Sequence, residues 1–306
     1  MYIGGYVQLA PERRTSPPGR PALAVVAAAA LLLATGCAGA HKSGQAHAGR
    51  KYVSLTSYPG WIQARIPPSK FDYTPWTIIS DFGLWPTKTG GIAVGDMGSL
   101  SNIPPAVSSA QKAGKTIIMA VGEEGQGTKF AGGASPRYRT KLINSIVSYV
   151  SRYHFAGVDI DWEEDVPQNR ADYVALIKGL RSALSTAFPA RHMYLSAEVN
   201  IGQIPPSIAA QVARYVDSIN METFKDNGLS SVAAYSQAGI PASKLLLGVG
   251  VTSGYYDSTE VRVAAKVKYV EAHGLKGTLF WQPGALNTYR TDPRLIPLRQ
   301  MLGIRR

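Results

Sequence analysis

In the stretch Phe155-Ala156-Gly157-Val158-Asp159-Ile160-Asp161-Trp162-Glu163, three carboxylates fall at every second position, with Val158, Ile160 and Trp162 between them. A period of two is the period of a strand, so one face is acidic and the other apolar. Aligning three like charges raises the cost of ionising them together, and packing alone seldom justifies that arrangement. The stretch therefore reads as one wall of a polar site. The competing reading is a solvated edge strand with alternating charge.

The rest of the chain supplies a frame for such a strand. From Lys51 onward, short apolar runs alternate with helix-like ones. Candidate strands cover residues 52–56, 77–82, 116–121, 157–163, 194–200, 218–224, 245–251 and 277–281. Between them, Leu142, Ile143, Ile146, Val147 and Val150 share one helical face, as do Tyr173, Val174, Ile177, Leu180 and Leu184. Further helices are expected over 208–216, 261–273 and 295–302. Eight strands alternating with helices predict an α/β fold, a single (β/α)8 TIM barrel. Such barrels do chemistry at the carboxyl ends of their strands, so Asp159 is expected deepest, Asp161 in the middle and Glu163 at the mouth.

The first fifty residues differ in kind. Arg13, Arg14 and Arg20 precede an unbroken small and apolar run from Ala22 to Thr35, which ends in Gly36-Cys37. A basic region before a short apolar core marks a secretory signal rather than a spanning helix. The ending Ala34-Thr35-Gly36-Cys37 resembles a bacterial lipobox, which implies lipidation at Cys37 and membrane anchoring; the alternative is a plain cleaved signal with an incidental cysteine. The expected organisation is a signal over 1–37, a flexible tether over 38–50 and a barrel over 51–306. The expected location is extracytoplasmic, as a bacterial membrane lipoprotein or a secreted protein. Cys37 is the sole cysteine, which excludes an internal disulfide. The formal charge is +12, and removing 1–37 takes away three arginines and Glu12, leaving 29 basic and 19 acidic groups. These charges are scattered singly with no interleaved aromatics, so no nucleic-acid partner is expected. The expected assembly is a monomer.

The acidic stretch and its surroundings resemble glycoside hydrolases of family 18, the chitinase-like barrels. Their fourth strand carries Asp-x-x-Asp-x-Asp-x-Glu, and this chain matches from Gly157 to Glu163 with Ala156 in place of the first Asp. Tyr153-His154-Phe155, Tyr58-Pro59-Gly60-Trp61 and Phe280-Trp281 also resemble the family pattern. The resemblance implies that Glu163 is the acid and then the base, that Asp161 stabilises an acetamido group acting as internal nucleophile, and that Asp159 supports Asp161 by sharing a proton. It implies Trp281 as an apolar floor under the sugar, against the alternative of a barrel-closing core aromatic. Trp61 and Trp85 fall beyond strand ends, where they extend a glycan cleft or simply pack.

Two departures bear on the substrate. Ala120-Val121-Gly122-Glu123 stands where the family shows Ser-x-Gly-Gly, and Glu222-Thr223-Phe224-Lys225 where it commonly shows Met-x-Tyr-Asp. Phe224 keeps a ring but donates no hydrogen bond. Parity puts Glu222 with Phe224, and Ser196 with Glu198 and Asn200, so the mouth gains two carboxylates if those faces point inward. Either Glu198 and Glu222 are paired with hydroxyls or with cations such as Lys225, or the substrate is altered. An altered substrate means a de-acetylated amino-sugar glycan or a nucleophilic Glu222.

The five histidines show no ligand spacing, so no metal or other cofactor is expected. Glu123 and Glu124 make the glycine-rich run 122–127 a poor phosphate cradle. No Gly-x-Ser-x-Gly elbow is present. The expected function is an exported retaining hydrolase of β-linked N-acetylglucosamine-containing poly- or oligosaccharides. The alternatives are a glycan-binding barrel without turnover, or a hydrolase of a different glycan.

Overall fold

Eight parallel strands close on themselves in the computed structural model, which describes residues 52–95, 98–285 and 291–304. The proposed signal, Cys37 and the tether lie outside the described residues. In chain order the barrel strands are β1 (Val53–Pro59), β2 (Ile78–Pro86), β4 (Thr116–Gly122), β5 (Gly157–Asp161), β6 (Tyr194–Val199), β7 (Ser218–Met221), β8 (Leu245–Gly250) and β9 (Gly277–Trp281). The sheet runs β1-β9-β8-β7-β6-β5-β4-β2, and β1 pairs with β2 to complete the ring. All eight expected strands are present. One short strand, β3 (Ile92–Val94), was not expected; it lies antiparallel on the outer end of β2.

The helices α4 (Arg139–Tyr153), α5 (Arg170–Ala187), α6 (Pro206–Val212), α8 (Glu260–Ala272) and α9 (Ile296–Met301) fall where helical spacing put them. Four more, α1 (Gly60–Arg65), α2 (Ile103–Lys112), α3 (Gly127–Gly133) and α7 (Leu229–Gln237), complete the outer layer. Helix α2 begins at Ile103-Pro104-Pro105. Its prolines occupy the first turn, where the missing N–H groups have no intrahelical partner to lose. None of the described helices is long and apolar enough to cross a membrane.

The entry into β5 shows how local sequence aims the acidic strand. Helix α4 buries Leu142, Ile146 and Val150, then stops at His154, whose φ of 60° turns the chain out of the helix. Phe155 is fully buried just beyond, and the Ala156 N–H bonds the Ile117 carbonyl at 2.8 Å to begin pairing with β4.

The barrel interior is divided by chemistry. Leu55, Ile78, Ile118, Leu246 and Leu279 form a small apolar cluster contributed by β1, β2, β4, β8 and β9. Across from it, β5, β6 and β7 send in Asp159, Ser196, Glu198, Ser218 and Asn220, all buried. The much larger core lies outside the barrel, between sheet and helices.

Candidate active site

Alternation along β5 turns Asp159 and Asp161 inward, and Glu163, two residues past the strand end, keeps the same phase. Their exposures of 0, 5 and 8 % run from core to mouth, in the order expected. The intervening Val158, Ile160 and Trp162 are fully buried on the helix side, which excludes a solvated edge strand. Trp162 stacks on Phe130 with centroids 5.0 Å apart, meets Tyr173 edge-on, and donates its indole N–H to the Glu164 carbonyl at 2.7 Å. On β4, Gly122 has φ +113°, and a Cβ there would sit 2.1 Å from the Asp161 carbonyl oxygen. Only glycine lets the two strands approach this closely behind the acidic row.

Asp159 accepts hydrogen bonds from Ser80 Oγ at 2.9 Å, Ser196 Oγ at 2.6 Å and Asn220 Nδ2 at 3.1 Å. The Glu198 carboxyl stands beside it, sharing the Asn220 amide. Asn220 reaches Glu198 Oε1 at 3.2 Å, and its own amide oxygen is held by Ser218, which in turn accepts from Tyr194. A fixed polar chain across three strands thus immobilises the deepest carboxylate. Asp159 acts on Asp161 through its charge.

Burial is the first cause of every perturbed acid here, because removing water disfavours the charged form. It raises Asp159, which the bonds from Ser196 and Ser80 partly offset. It raises Asp161 well above the ordinary carboxylate range, reinforced by the charges of Glu163, Glu222, Asp159 and Glu123. Glu163 is raised too, opposed by the Asn200 amide, which donates to its Oε2 at 3.0 Å. Glu198 and Glu222 stand well above their usual range for the same reason, with neighbouring acids adding to it. Glu163 and Glu222 bring carboxylate oxygens within 4.8 Å of each other and of Asp161, and Glu222 Oε1 is buried without a hydrogen-bond partner.

Among the described residues, neither Glu198 nor Glu222 forms an ion pair with a lysine or arginine. Lys225 is exposed. The buried lysine nearby, Lys266, is committed to Asp257 at 2.7 Å and to the carbonyls of Thr223 and Gly248 at 2.6 and 2.7 Å. The partner of Glu198 is instead the Asn220 amide, and Glu222 Oε1 is buried without a hydrogen-bond partner. A metal has one set of ligands to consider among the described residues. Asp161, Glu163 and Glu222 offer oxygens within 4.8 Å of one another, a spacing a hard cation accepts.

These groups open into a cavity of about 570 Å³ that also collects Trp61, Phe82, Trp85, Phe224, Tyr255 and Trp281. Among the described residues, no lysine or arginine lines it. Trp281 is half-buried and forms part of the cavity wall, flanked edge-on by Trp61 at 6.1 Å and Phe82 at 5.7 Å. The cavity brings together Asp161, Glu163, Glu198, Glu222, Phe224, Trp61 and Trp281 as expected from the sequence, with Asp159 beneath. The glycine-rich run after β4 has its Gly125 and Gly127 N–H groups taken by the Glu164 carboxylate, so it cradles no phosphate.

Several members had no role in the sequence reading. Ser80 shares the inward parity of Ile78 and Phe82, a usable signal. Asn200 shares the parity of Glu198, but its bond to Glu163 depends on how β5 and β6 end. Tyr255 lies in a loop and had no periodic signal at all.

Residues 58–262 match the family described as glycosyl hydrolases family 18. The chain is 26 % identical to chitinase A1 of Niallia circulans over 208 residues, covering 53 % of this chain and 30 % of that protein. It is 23 % identical to a chitinase-like effector of Moniliophthora perniciosa, covering 70 % and 58 %. It thus spans less than two thirds of either relative. A plant class V chitinase mutant from Cycas revoluta, solved in complex with (GlcNAc)3, superposes with a TM-score of 0.69 at 16 % identity, covering 82 % of this chain and 99 % of that one. The closed barrel, the inward acidic row ending at Glu163 and a family match over most of the barrel agree, and the chain belongs to the glycosyl hydrolases family 18.

Proposed function

We propose that the protein is a glycosidase that hydrolyses β-linked N-acetylglucosamine-containing glycans, with retention and by substrate assistance. The observation that carries this reading is Asp161 Oδ1, which is buried and has no hydrogen-bond partner. It lies in the cavity wall between Asp159 and Glu163. An orphaned buried polar atom costs about 1–3 kcal/mol, and a ligand group that pairs with it removes the cost. The N–H of an acetamido group is a partner of the right kind.

In this mechanism the acetamido carbonyl oxygen attacks the anomeric carbon as the bond to the leaving oxygen breaks. Glu163, kept protonated by burial, gives its proton to that oxygen. Asp161 accepts the acetamido N–H and stabilises the cationic ring that forms. Glu163, now a carboxylate, takes a proton from the water that opens the ring, and the proton returns to its starting place. Trp281 and Trp61 offer apolar faces to the sugar C–H groups.

Glu222 supports a second reading, a de-acetylated or otherwise altered glycan, because it adds an acid beside Asp161 and Glu163. A glycan-binding barrel without turnover is the third. We further propose export directed by residues 1–37, with Cys37 as a lipid attachment point.

The test is turnover of a chromogenic chitobioside by the wild type and by Glu163→Gln. The variant is expected to lose turnover about a hundred- to ten-thousand-fold while still binding chitotriose. Wild-type inactivity with binding retained would establish the binding-only barrel instead.

A further inference from the structure

We propose that Tyr255 supplies the hydroxyl that orients the substrate's acetamido carbonyl, taking over from the loop after β8 a task that Phe224 on the chain beyond β7 has no atom to perform. The proposal rests on the substrate class proposed above.

The attacking carbonyl oxygen needs a donor to fix its direction. Phe224 carries a bare ring into the cavity. Beside it stands Tyr255, with ring centroids 5.8 Å apart and planes inclined by 42°. Tyr255 and Trp281 line the same cavity as Phe224. A phenol O–H can donate, so Tyr255 brings to this wall the donor that the Phe224 ring lacks. It lies within the electrostatic reach of Glu163 and Glu222, on the wall shared with the sugar floor Trp281.

The loop is built to hold this ring. Tyr256 N–H bonds the Phe224 carbonyl at 2.9 Å, tying the two aromatic residues' backbones together. Tyr255 N–H closes a turn onto Thr252 at 3.0 Å. Asp257 accepts from Gly250 N–H at 2.9 Å and from Lys266 at 2.7 Å, and Arg262 donates to the Tyr256 carbonyl at 2.7 Å. A Cβ on Gly250 would lie 2.9 Å from Phe224 Cβ and 3.0 Å from Tyr255 Cβ, so glycine makes the room in which both rings sit.

The experiment compares wild type, Tyr255→Phe and the double variant Phe224→Tyr with Tyr255→Phe, each on chromogenic chitobioside and in calorimetric binding of chitotriose. Tyr255→Phe is expected to lower kcat/KM about tenfold, chiefly through kcat, the size of one lost hydrogen bond. The thermal midpoint should stay put, because the ring remains. The double variant is expected to recover most of the loss, since it restores a hydroxyl on the same wall; a merely structural role for Tyr255 gives no such recovery. Wild-type behaviour of Tyr255→Phe in both turnover and binding overturns the role of Tyr255 alone, as does a loss that the double variant leaves unrepaired. A wild type that neither turns over the chitobioside nor binds chitotriose overturns the proposed substrate class and the role of Tyr255 with it.

Discussion

The two halves of the cavity are built on opposite principles. The half formed by β5, β6 and β7 is a stack of carboxyls on neighbouring strands, in which amides and hydroxyls hold Asp159, Glu163 and Glu198 while Asp161 keeps an unpaired oxygen. The half formed by β8, β9, β1 and β2 is aromatic at the rim, with Trp281, Trp61 and Phe82, and aliphatic beneath, with Leu279, Leu55 and Ile78. The acidic half stores protons above the ordinary carboxylate range because it is dry. The aromatic half helps to keep it dry and offers a sugar face something to lie against. Chemistry and binding thus reside on different strands, and they should fail separately.

The largest expected effect falls on the acidic half, where Glu163→Gln removes turnover and spares binding. Next comes the seam where β7 meets β8. Lys266 and Asp257 are 1 and 0 % exposed there, and Lys266 clamps the carbonyls of Thr223 and Gly248. Lys266→Met leaves a buried carboxylate unpaired, and we expect a loss of about 3–5 kcal/mol in urea unfolding. A loss under about 1 kcal/mol would mean that the two halves hold together without this clamp.

On the aromatic half, Trp281→Ala should raise KM for the chitobioside roughly tenfold or more, corresponding to about 1.5–3 kcal/mol of apolar contact. Its pH profile should keep its shape. A shifted profile with an unchanged KM would break the division of labour.

The smallest effect concerns Asn200. Its amide favours ionised Glu163, so it holds the pKa of the acid down against burial. Glu163 must be protonated to act, and a raised pKa keeps it so to higher pH. The basic limb of kcat/KM is therefore expected above the ordinary glutamate value of 4.5. Asn200→Ala should move that limb further up. Movement downward would show that the amide serves the neutral acid instead.

How legible each half is in the sequence follows from how it is assembled. The acidic row is local: Asp159, Asp161 and Glu163 lie on one strand, and a period of two reveals both its conformation and its inward face. The same parity brings in Glu198 and Glu222 from their own strands. The groups that hold Asp159 were less accessible, because Ser80, Ser196 and Asn220 come from three other strands. The choice among cation, hydroxyl and altered substrate for Glu222 was out of reach in the same way, since it depends on Lys225 turning to solvent and on Lys266, far along the chain, going to Asp257. Strand β3 was missed because three residues carry too little periodicity.

By itself, then, the sequence determined the barrel, the phase of each strand and the rank order of the three acids from core to mouth. Those properties are set by residues within a few positions of one another, where sterics and burial leave one periodicity. Tertiary closure decided the rest: which groups hold Asp159, that Trp61 and Trp281 from the two ends of the barrel share a wall, and that Tyr255 stands beside the hydroxyl-free Phe224. Those relations arise only when β1 pairs with both β9 and β2, because closing the ring brings side chains into contact that no local spacing connects.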